Sequence, residues 1–596
     1  MGYARGMGWV AAGVLGVLGA TGCGWLERTR STGHPDVDDP DRARVAVPVR
    51  REATPPPVFE VVAPSPFPQL AIPVPEFDPG VLQTAPQRFV FPPLQETVEA
   101  YRVTMAPDLL ASFYADEEAP MQPAEFTAPD GSRHQVMMRL RGNSSRSWPK
   151  KSWRIEFPPA TLWDGRRNLN LVSSWREQTL MLEKLGFDAL AAMGVPASRA
   201  RYIRLYINGQ FQGIYLDLER VDKHFLRNHG FADPDASIWR CGRKNCEMKP
   251  FFDPTYQQNW EKETNELAPS PELDAFMRVI NFTPEPQFVE ALSRQFSLEN
   301  HLRNFAVDAL ISNATVEDSR AYVIYDAVRR RWTYAPWDLN NTDAKWTVGG
   351  AGTADFKHPL LNFSLLDGRV NDEYLNRAGG EPERWKPIFS NLNTRIVMNP
   401  KLRSRIVELT EQALDELFDP EVINARIEET YALLAPHHPG SPHDPPEQFA
   451  DMRRYMKEYV ANRTAFLRGE IEKWKNWSPT LVLQTVDPQQ GYVELKNLGT
   501  SPVNTTGMVI TTNLREGMAP LTAPTAVTRS AQHLPVLTLA PGETIRVNLT
   551  LPPEGEVGIF NGQSVVGVLD ALYFGALPAG QRYVRSEADP LEWQVR

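Results

Sequence analysis

Apolar and polar residues alternate along two stretches in the first half of the chain. Residues 136–157 alternate on both sides of a turn that starts at Gly142, and residues 202–221 alternate on both sides of Asn208 and Gly209. Side chains of a strand point to its two faces in turn, and Asn-Gly is a strong signal for a tight hairpin turn. The pattern therefore predicts two β-hairpins.

A third hairpin is predicted for residues 321–337, where a basic turn at residues 326–331 separates two largely apolar strands. The second strand leads directly to Asp338, which we therefore expect at the edge of a hydrophobic core. A carboxylate there needs a partner, because burial of an unpaired charge is costly. One candidate is a bound cation, since Mg²⁺ commonly takes one or two carboxylates plus phosphates. The alternative is a structural role, as a turn cap or as the partner of an Arg.

Helical spacing of apolar residues replaces the alternation in three regions. A capping-box pattern at residues 174–177 precedes one helix, which Gly194 ends, and a second helix is predicted around residues 299–310. Residues 385–475 are helical by periodicity. We expect their apolar stripe to form the core of a helical lobe. The stripe consists of Leu402, Ile406, Leu409, Leu414 and Leu417.

After Trp477 the pattern changes to short strands separated by turns that contain Pro and Gly. The predicted strands are residues 481–486, 492–497, 508–511, 544–549 and 565–569. Short strands at this spacing are typical of a β-sandwich. We therefore place a second folded domain at residues 478–596.

The length and charge of the chain limit its organisation and its partners. A chain of 596 residues is too long for a single hydrophobic core, so two folded domains plus tails are expected. Residues 24–92 are rich in Pro, Arg and Asp and cannot bury much apolar area, so they are predicted to form an extended tether. The net charge of −10 argues against a nucleic-acid-binding protein.

The first 23 residues have the pattern of an export signal. Arg5 precedes an apolar run at residues 9–19, and small residues precede Cys23. The run is too short for a membrane span, which needs about 20 residues. The segment resembles a bacterial lipoprotein signal, which implies export and a lipid anchor on Cys23 at the outer membrane or cell surface. An ordinary secretory signal is the alternative.

Two further cysteines, Cys241 and Cys246, lie close together in the sequence. A metal site usually needs four ligands, and no second Cys or His pair lies near them in sequence. In an exported protein, such a pair is better explained as a small disulfide loop.

The turn after Gly142 reads Gly-Asn-Ser-Ser-Arg and is a possible anion-binding turn. Exposed backbone N–H groups in such turns attract phosphates. Lys150 and Lys151 begin the following strand, and only one of them can face the turn because side chains alternate. Taken alone, this pattern also fits a plain hairpin.

Four segments together resemble the spore-coat-protein-H (CotH) kinase family, a group of atypical protein kinases. They are RLRGNSSRSWPKKSWRIEF (139–157), RARYIRLYINGQFQGIYLDLERVD (199–222), NFAVDALISNATVEDSRAYVIY (304–325) and YAPWDLNNTD (334–343). The resemblance implies a two-lobed, kinase-like α+β fold over residues 93–477 and phosphoryl transfer from ATP with Mg²⁺ or Mn²⁺. That chemistry consists mainly of positioning and electrostatic stabilisation.

The resemblance also implies which residues contact the nucleotide. Lys151 would contact the phosphates, and Arg141 would lie over them together with Asn143 and Ser144 of the turn. Glu219, which follows the strand with the Gly-x-Tyr sequence, would lie near the hinge between the two lobes.

For the metal ion and the general base, the resemblance points to two further segments. Asp338 matches the metal-binding Asp of the family, whereas the family's second acidic position is Asn340 in this chain. The position of the family's catalytic Asp falls near Val316 in this chain, and the acidic residues next to it are Glu317 and Asp318. We expect Asp318 to act as the general base, with Glu317 as the alternative.

Residues 478–596 resemble a lamin-tail domain, which is an immunoglobulin-like β-sandwich. The resemblance rests on residues 491–497, 539–542 and 568–570 and on Trp593. The segment contains no catalytic constellation, so we expect it to serve in binding or spacing.

Two functions are consistent with these features. One is an exported, lipid-anchored atypical kinase that phosphorylates Ser or Thr residues of envelope or secreted proteins. The alternative is a catalytically degenerate kinase fold that serves as a scaffold or adhesion lipoprotein of the cell envelope.

Overall fold

The structure is a computed structural model. It describes residues 88–142, 144–175, 179–241, 248, 260–267, 271–313, 321–339, 356–361, 366, 390–443, 446–514, 531–561 and 568–596. The predicted signal segment 1–23 and most of the predicted tether 24–92 lie outside these residues. Helices and several β-sheets alternate along the described chain, so the predicted mixed α+β fold is confirmed. None of the described helices has the length and hydrophobicity that crossing a membrane requires.

A closed seven-stranded β-barrel forms the first part of the fold. Its strands are β1 (Glu99–Thr104), β2 (Gln122–Thr127), β3 (Arg133–Leu140), β4 (Trp153–Glu156), β5 (Asn168–Val172), β6 (Ala200–Ile207) and β7 (Gln210–Leu218), in the order β1-β2-β3-β4-β5-β7-β6. A parallel pair between β1 and β6 closes the barrel. The β3–β4 and β6–β7 hairpins are those that alternation predicts. Helix α1 (Pro107–Ala115) connects β1 to β2.

The barrel interior is apolar, and a buried ion cluster lies in its wall. Tyr101, Phe126, Trp153 and Ile155 belong to one buried cluster. Asp217, on β7, accepts hydrogen bonds from Arg166 at 2.8 and 2.9 Å, from Arg201 at 3.1 Å and from the Tyr101 hydroxyl at 2.9 Å. Burial of this carboxylate is thus compensated by two cations and a hydroxyl, as a buried charge requires. The role of Asp217 in β7 is therefore structural.

Helix α2 (Leu182–Ala192) precedes β6, helix α3 (Lys223–Asn228) follows β7, and a second sheet comes next. The sheet contains β8 (Ser237–Cys241), β9 (Trp260–Lys262), β10 (Ala321–Asp326) and β11 (Arg331–Pro336), in the order β11-β10-β8-β9. Strands β10 and β11 pair along their whole length, from Ala321 with Pro336 to Asp326 with Arg331, so the third predicted hairpin is confirmed.

In the described part of the chain, seven helices form the lobe that lies against this sheet. They are α4 (Pro271–Phe282), α5 (Glu285–Gln295), α6 (Leu298–Leu310), α7 (Asn391–Met398), α8 (Pro400–Glu416), α9 (Pro420–Leu434) and α10 (Pro446–Lys475). The apolar stripe predicted for this region is buried and belongs to one large hydrophobic cluster of described residues, which also contains residues of α2. The predicted helical core is therefore confirmed.

The C-terminal part consists of short strands in two larger sheets and one strand pair. The strands are β12 (Leu481–Asp487), β13 (Tyr492–Asn497), β14 (Val503–Asn504), β15 (Val509–Thr511), β16 (Ala531–His533), β17 (Thr538–Leu539), β18 (Thr544–Asn548), β19 (Gly555–Phe560), β20 (Val568–Phe574), β21 (Tyr583–Arg585) and β22 (Trp593–Val595). The sheets have the orders β18-β13-β12-β21-β22 and β16-β15-β19-β20, and residues of both share one hydrophobic core. The immunoglobulin-like topology stays a prediction.

These C-terminal sheets pack directly on the helical lobe. Arg395, on α7, is fully buried, pairs with Glu285 at 2.9 Å and lies 5.7 Å from the ring centroid of Tyr573, on β20. A Cβ atom at Gly575 would lie only 2.1 Å from the carbonyl oxygen of Phe282, at the end of α4. The backbones of the two parts therefore meet without an intervening side chain at this point.

Candidate active site

Asp338 follows the β10–β11 hairpin directly, as the sequence predicts. The ring of Trp337 lies edge-on to Tyr322 of β10, with the ring centroids 5.7 Å apart. Asp338 is half-buried and has a φ of 61°, and Leu339 after it is fully buried. An Asp in the left-handed region is uncommon and marks a sharp change of chain direction. The structure therefore holds Asp338 at the edge of a core between two anchored neighbours.

The turn between β3 and β4 is closed by its own side chains. Gly142 has a φ of 103°, and a Cβ atom there would lie 1.8 Å from the Ser145 hydroxyl, so only glycine fits. The Arg146 guanidinium donates to the Gly142 carbonyl at 2.6 Å, and the Lys151 ammonium donates to the Arg146 carbonyl. Residues Ser144–Ser147 form one short 3₁₀ turn.

Arg141 connects this turn to the segment that carries Asp338. Its guanidinium carbon lies 5.2 Å from the ring centroid of Trp337, within the range of a cation–π contact. The backbone N–H of Arg141 donates to Ser152 of the neighbouring strand at 2.9 Å, which fixes the start of the turn. The fold thus brings Arg141 to Trp337, the residue before Asp338, although the two segments lie almost 200 residues apart in the sequence.

Lys150 and Lys151, which lie just before β4 and not within it, have different neighbours. The Lys151 ammonium contacts the turn and lies 5.8 Å from the ring centroid of Tyr114. The Lys150 ammonium is fully buried and donates to the carbonyl of Ile214, on β7, at 2.9 Å. Lys151 therefore faces the turn, and Lys150 faces the barrel wall.

Three arginines that the sequence does not single out lie on the same side of the barrel as Arg141. Arg139 lies two residues before Arg141, and side chains two residues apart on a strand share a face. Arg154 is directly opposite Arg139 in the β3–β4 register, so it lies on that face too. Glu156 pairs with Arg154 at 3.1 Å and with Arg167 at 2.8 Å. All four of these side chains are buried. Among the described residues, this buried row thus contains three arginines and one carboxylate.

Glu219 is held by neighbours on the same lobe. It accepts hydrogen bonds from Asn228 at 2.6 Å, from His229 at 2.9 Å and from the backbone N–H of Arg199 at 3.2 Å. Burial acts to raise the pKa of its carboxyl, but the hydrogen bonds from His229 and Asn228 outweigh burial and hold the pKa below its usual value. A contact between Glu219 and a nucleotide stays a prediction.

Both candidate bases, Asp318 and Glu317, lie outside the described residues, as do Asn143, Val316 and Asn340; of Ser144 the backbone is described. The chain is anchored just before the segment of the two bases. The Asn313 side chain donates to the Asp308 carboxylate at 2.7 Å, and the Asn304 side chain donates to its other oxygen at 3.0 Å. Asp308, on α6, thus connects the end of this helix to residue 313.

Asp308 is expected to make stability depend on pH. Burial raises the pKa of this carboxyl to about 7, against the lowering effect of the hydrogen bonds from Asn313 and Asn304. The folded protein therefore holds the proton more tightly than the unfolded chain does. We expect the free energy of unfolding to fall between about pH 4 and pH 7, by at most about 1.4 kcal/mol per pH unit. Urea denaturation at half-unit pH steps measures this slope.

Asp308→Asn is the control for this prediction, because the variant keeps the side-chain size and removes the titration. Its free energy of unfolding should fall less steeply over the same pH range, by up to the contribution of one proton, which is about 1.4 kcal/mol per pH unit. Equal slopes in the two proteins would show that other groups cause the pH dependence.

Few protein ligands for a divalent ion are present in the described part of the chain. Within the described ranges, no group of three or more His, Cys, Asp or Glu residues could hold a metal ion. Mg²⁺ in phosphate-transferring sites, however, needs only one or two protein carboxylates because the substrate phosphates supply further oxygens. Asp338 alone meets that smaller requirement, and the roles of Arg141 and Lys151 at the phosphates stay predictions.

Comparison with known proteins identifies the same region. A family model described as CotH kinase protein matches residues 138–467, which is more than half of the chain. The inner spore coat protein H of Bacillus subtilis (strain 168) is 23% identical over 356 residues, covering 57% of this chain and 88% of that protein. An inner spore coat protein H-like protein of the same organism is 33% identical over 89 residues, covering 15% of this chain and 28% of its own. The matched range includes the Gly142 turn and Asp338, whereas the C-terminal sheets lie beyond it.

Proposed function

Because this chain belongs to the CotH kinase family, we propose that it transfers the γ-phosphate of ATP to a Ser or Thr hydroxyl with the help of Mg²⁺ or Mn²⁺. The observation that supports this proposal most strongly is the contact between Arg141 and Trp337. It joins the segment of the Gly142 turn, which we propose for the phosphates, to Trp337, the residue before the proposed metal ligand Asp338. Neither segment alone has both kinds of group.

Each part of the site has a separate task in the proposed reaction. A divalent ion held by Asp338 would neutralise charge on the phosphates. Arg141 and Lys151 would orient the phosphates, and the buried arginines behind them would add a positive field that is already in place before the nucleotide binds. Asp318, or Glu317 in its place, would accept the proton of the acceptor hydroxyl.

We further propose that the protein acts outside the cytoplasm, anchored through a lipid on Cys23, with envelope or secreted proteins as acceptors. Cys241 is disulfide-bonded, which favours an oxidising compartment. Its predicted partner, Cys246, lies outside the described residues. The C-terminal sheets would serve as a lamin-tail-like binding module at that location.

Transfer of label from γ-labelled ATP tests the proposal. The full chain is incubated with Mg²⁺ or Mn²⁺ and a panel of Ser- and Thr-containing peptides, and label on phosphoserine or phosphothreonine is measured. Lys151→Met is expected to lower the rate about a hundredfold, as for the loss of one preorganised charge contact.

Lys401→Met is the matched control, since Lys401 is 70% exposed and pairs with Glu592 at the surface, at 2.8 Å. It should leave the rate unchanged. Absence of label with the unaltered chain would contradict the proposal and favour the degenerate scaffold. Equal rates for the two variants would show that Lys151 does not contact the phosphates in the reaction.

A further inference from the structure

We propose that the ion pair between Asp188 and Arg426 positions Asp338, acting through helix α2. Arg426 would thus be a positioning residue of the helical lobe that never touches substrate. The kinetic consequence of this proposal rests on the proposed function. The structural consequence does not depend on it.

One face of α2 is held by the ion pair. The Asp188 carboxylate accepts a hydrogen bond from Arg426, on α9, at 2.5 Å, and its other oxygen is 2.5 Å from the ammonium of Lys184, one helical turn earlier. Asp188 and Arg426 are separated by 238 residues and are both buried. A pair between buried groups is screened little by water, so it fixes the distance between the two helices.

The opposite face of α2 touches the segment of Asp338. A Cβ atom at Gly186 would lie 2.8 Å from Ile311 and 3.0 Å from Leu339. Gly186 and Asp188 are about 200° apart around the helix, since each residue advances it by about 100°. Helix α2 is therefore held between Arg426 on one side and Leu339, the neighbour of Asp338, on the other.

The glycine makes this contact direct. Without a side chain at residue 186, the helix backbone approaches Ile311 and Leu339, which are both fully buried. Close-packed interiors transmit small displacements because they contain little free volume. A shift of α2 away from α9 would therefore displace Leu339, and Asp338 with it.

The N-terminal segment at residues 89–95 covers the ion pair from outside. The guanidinium carbon of Arg426 lies 5.5 Å from the ring centroid of Phe91, and the N–H of Phe89 donates to Glu416 at 2.6 Å. The Gln95 side chain exchanges two hydrogen bonds with the backbone of Tyr202, on β6, at 2.6 and 2.7 Å. The segment connects the helical lobe to the barrel and limits access of water to Arg426.

Arg426→Met should leave the fold intact, because Asp188 keeps Lys184 as its partner. Burial lowers the pKa of Lys184, the charge of Asp188 acts to raise it, and the charge of Arg426 adds to the lowering. Removal of Arg426 thus strengthens the remaining pair while it releases α2 from α9.

Two readouts in the full chain test the proposal. The first is the Mn²⁺ concentration that gives half of the ATP-induced thermal shift. The second is amide hydrogen exchange of residues 332–339. In Arg426→Met we expect the Mn²⁺ midpoint to rise about ten- to a hundredfold, as for other residues that orient a metal ligand. Exchange at residues 335–339 should become faster, and Arg426→Lys should restore part of both effects.

Arg585→Met is the matched control. Arg585 and Asp570 form an equally buried pair at 2.5 Å in the C-terminal sheets. This variant should lower the melting temperature and leave both readouts unchanged. The proposal is overturned if Arg426→Met leaves both readouts unchanged, or if Arg585→Met changes them equally. If the unaltered chain shows no ATP-induced shift, the proposed function fails, and hydrogen exchange alone decides whether Arg426 positions residues 335–339.

Discussion

Replacement of Asp338 by Ala is expected to reduce phosphoryl transfer about a thousandfold, which corresponds to about 4 kcal/mol of transition-state stabilisation. Asp338 follows Trp337, which contacts Arg141 next to the Gly142 turn, and it comes just after a hairpin whose strands are paired throughout. Without it, the phosphates would bind the divalent ion with no protein carboxylate at that position. Initial rates measured over a range of Mg²⁺ and Mn²⁺ concentrations give the size of the loss.

Asp415→Ala is the control for this prediction. Asp415 is 58% exposed and pairs with Arg468 on the surface of the helical lobe. The same chemical change at this position should alter the rate less than twofold. A rate for Asp338→Ala close to that of the unaltered chain, at all metal concentrations, would contradict a metal-binding role for Asp338.

Arg463→Met is expected to lower the free energy of unfolding by about 3–5 kcal/mol, because several carbonyl groups lose a donor at once. Arg463, on α10, is fully buried and donates to the carbonyls of Ala309 at 2.7 Å, Phe356 at 2.7 Å and His358 at 2.5 Å. Its loss would leave these three carbonyl groups without this donor, and only that of Ala309 lies at the end of α6. A buried acceptor without a partner costs about 1–3 kcal/mol. Urea denaturation of the full chain measures the difference.

Arg468→Met supplies the comparison on the same helix. Arg468 is 42% exposed, and its partner Asp415 is more exposed still. A surface ion pair contributes about 1 kcal/mol or less, so this variant should unfold at nearly the same urea concentration as the unaltered chain. If both variants were destabilised equally, Arg463 would not be the connection between α10 and the end of α6.

The sequence predicts the local hairpins of this fold well, but it does not predict how the strands close into a barrel. Alternation identifies the β3–β4, β6–β7 and β10–β11 hairpins, because each is formed by neighbouring residues with a recognisable turn. Strands β1 and β2 precede the region in which the pattern predicts strands. The barrel closes through the parallel pairing of β1 with β6, roughly 100 residues away. No local pattern specifies a partner at that distance.

In the candidate site, the sequence likewise predicts local positions of side chains but not contacts between distant segments. The position of Asp338 follows from an apolar strand that ends in a carboxylate, and alternation predicts that only one of Lys150 and Lys151 faces the turn. The contact of Arg141 with Trp337 and the ion pair of Asp188 with Arg426 join distant segments. Charge pairing over such distances depends on how the elements pack, which residue spacing does not encode.

Nucleotide-dependent stability of the full chain is the most direct test of a metal-dependent ATP site at Asp338. ATP is titrated with Mg²⁺, with Mn²⁺ and without a divalent ion, and the unfolding temperature is recorded. A ligand specific for the folded state stabilises it by about 2.7 kcal/mol at a hundredfold excess over its dissociation constant. We predict a rise that requires the divalent ion and is absent in Asp338→Ala. An unchanged unfolding temperature with both ions would contradict an ATP site between the Gly142 turn and Asp338.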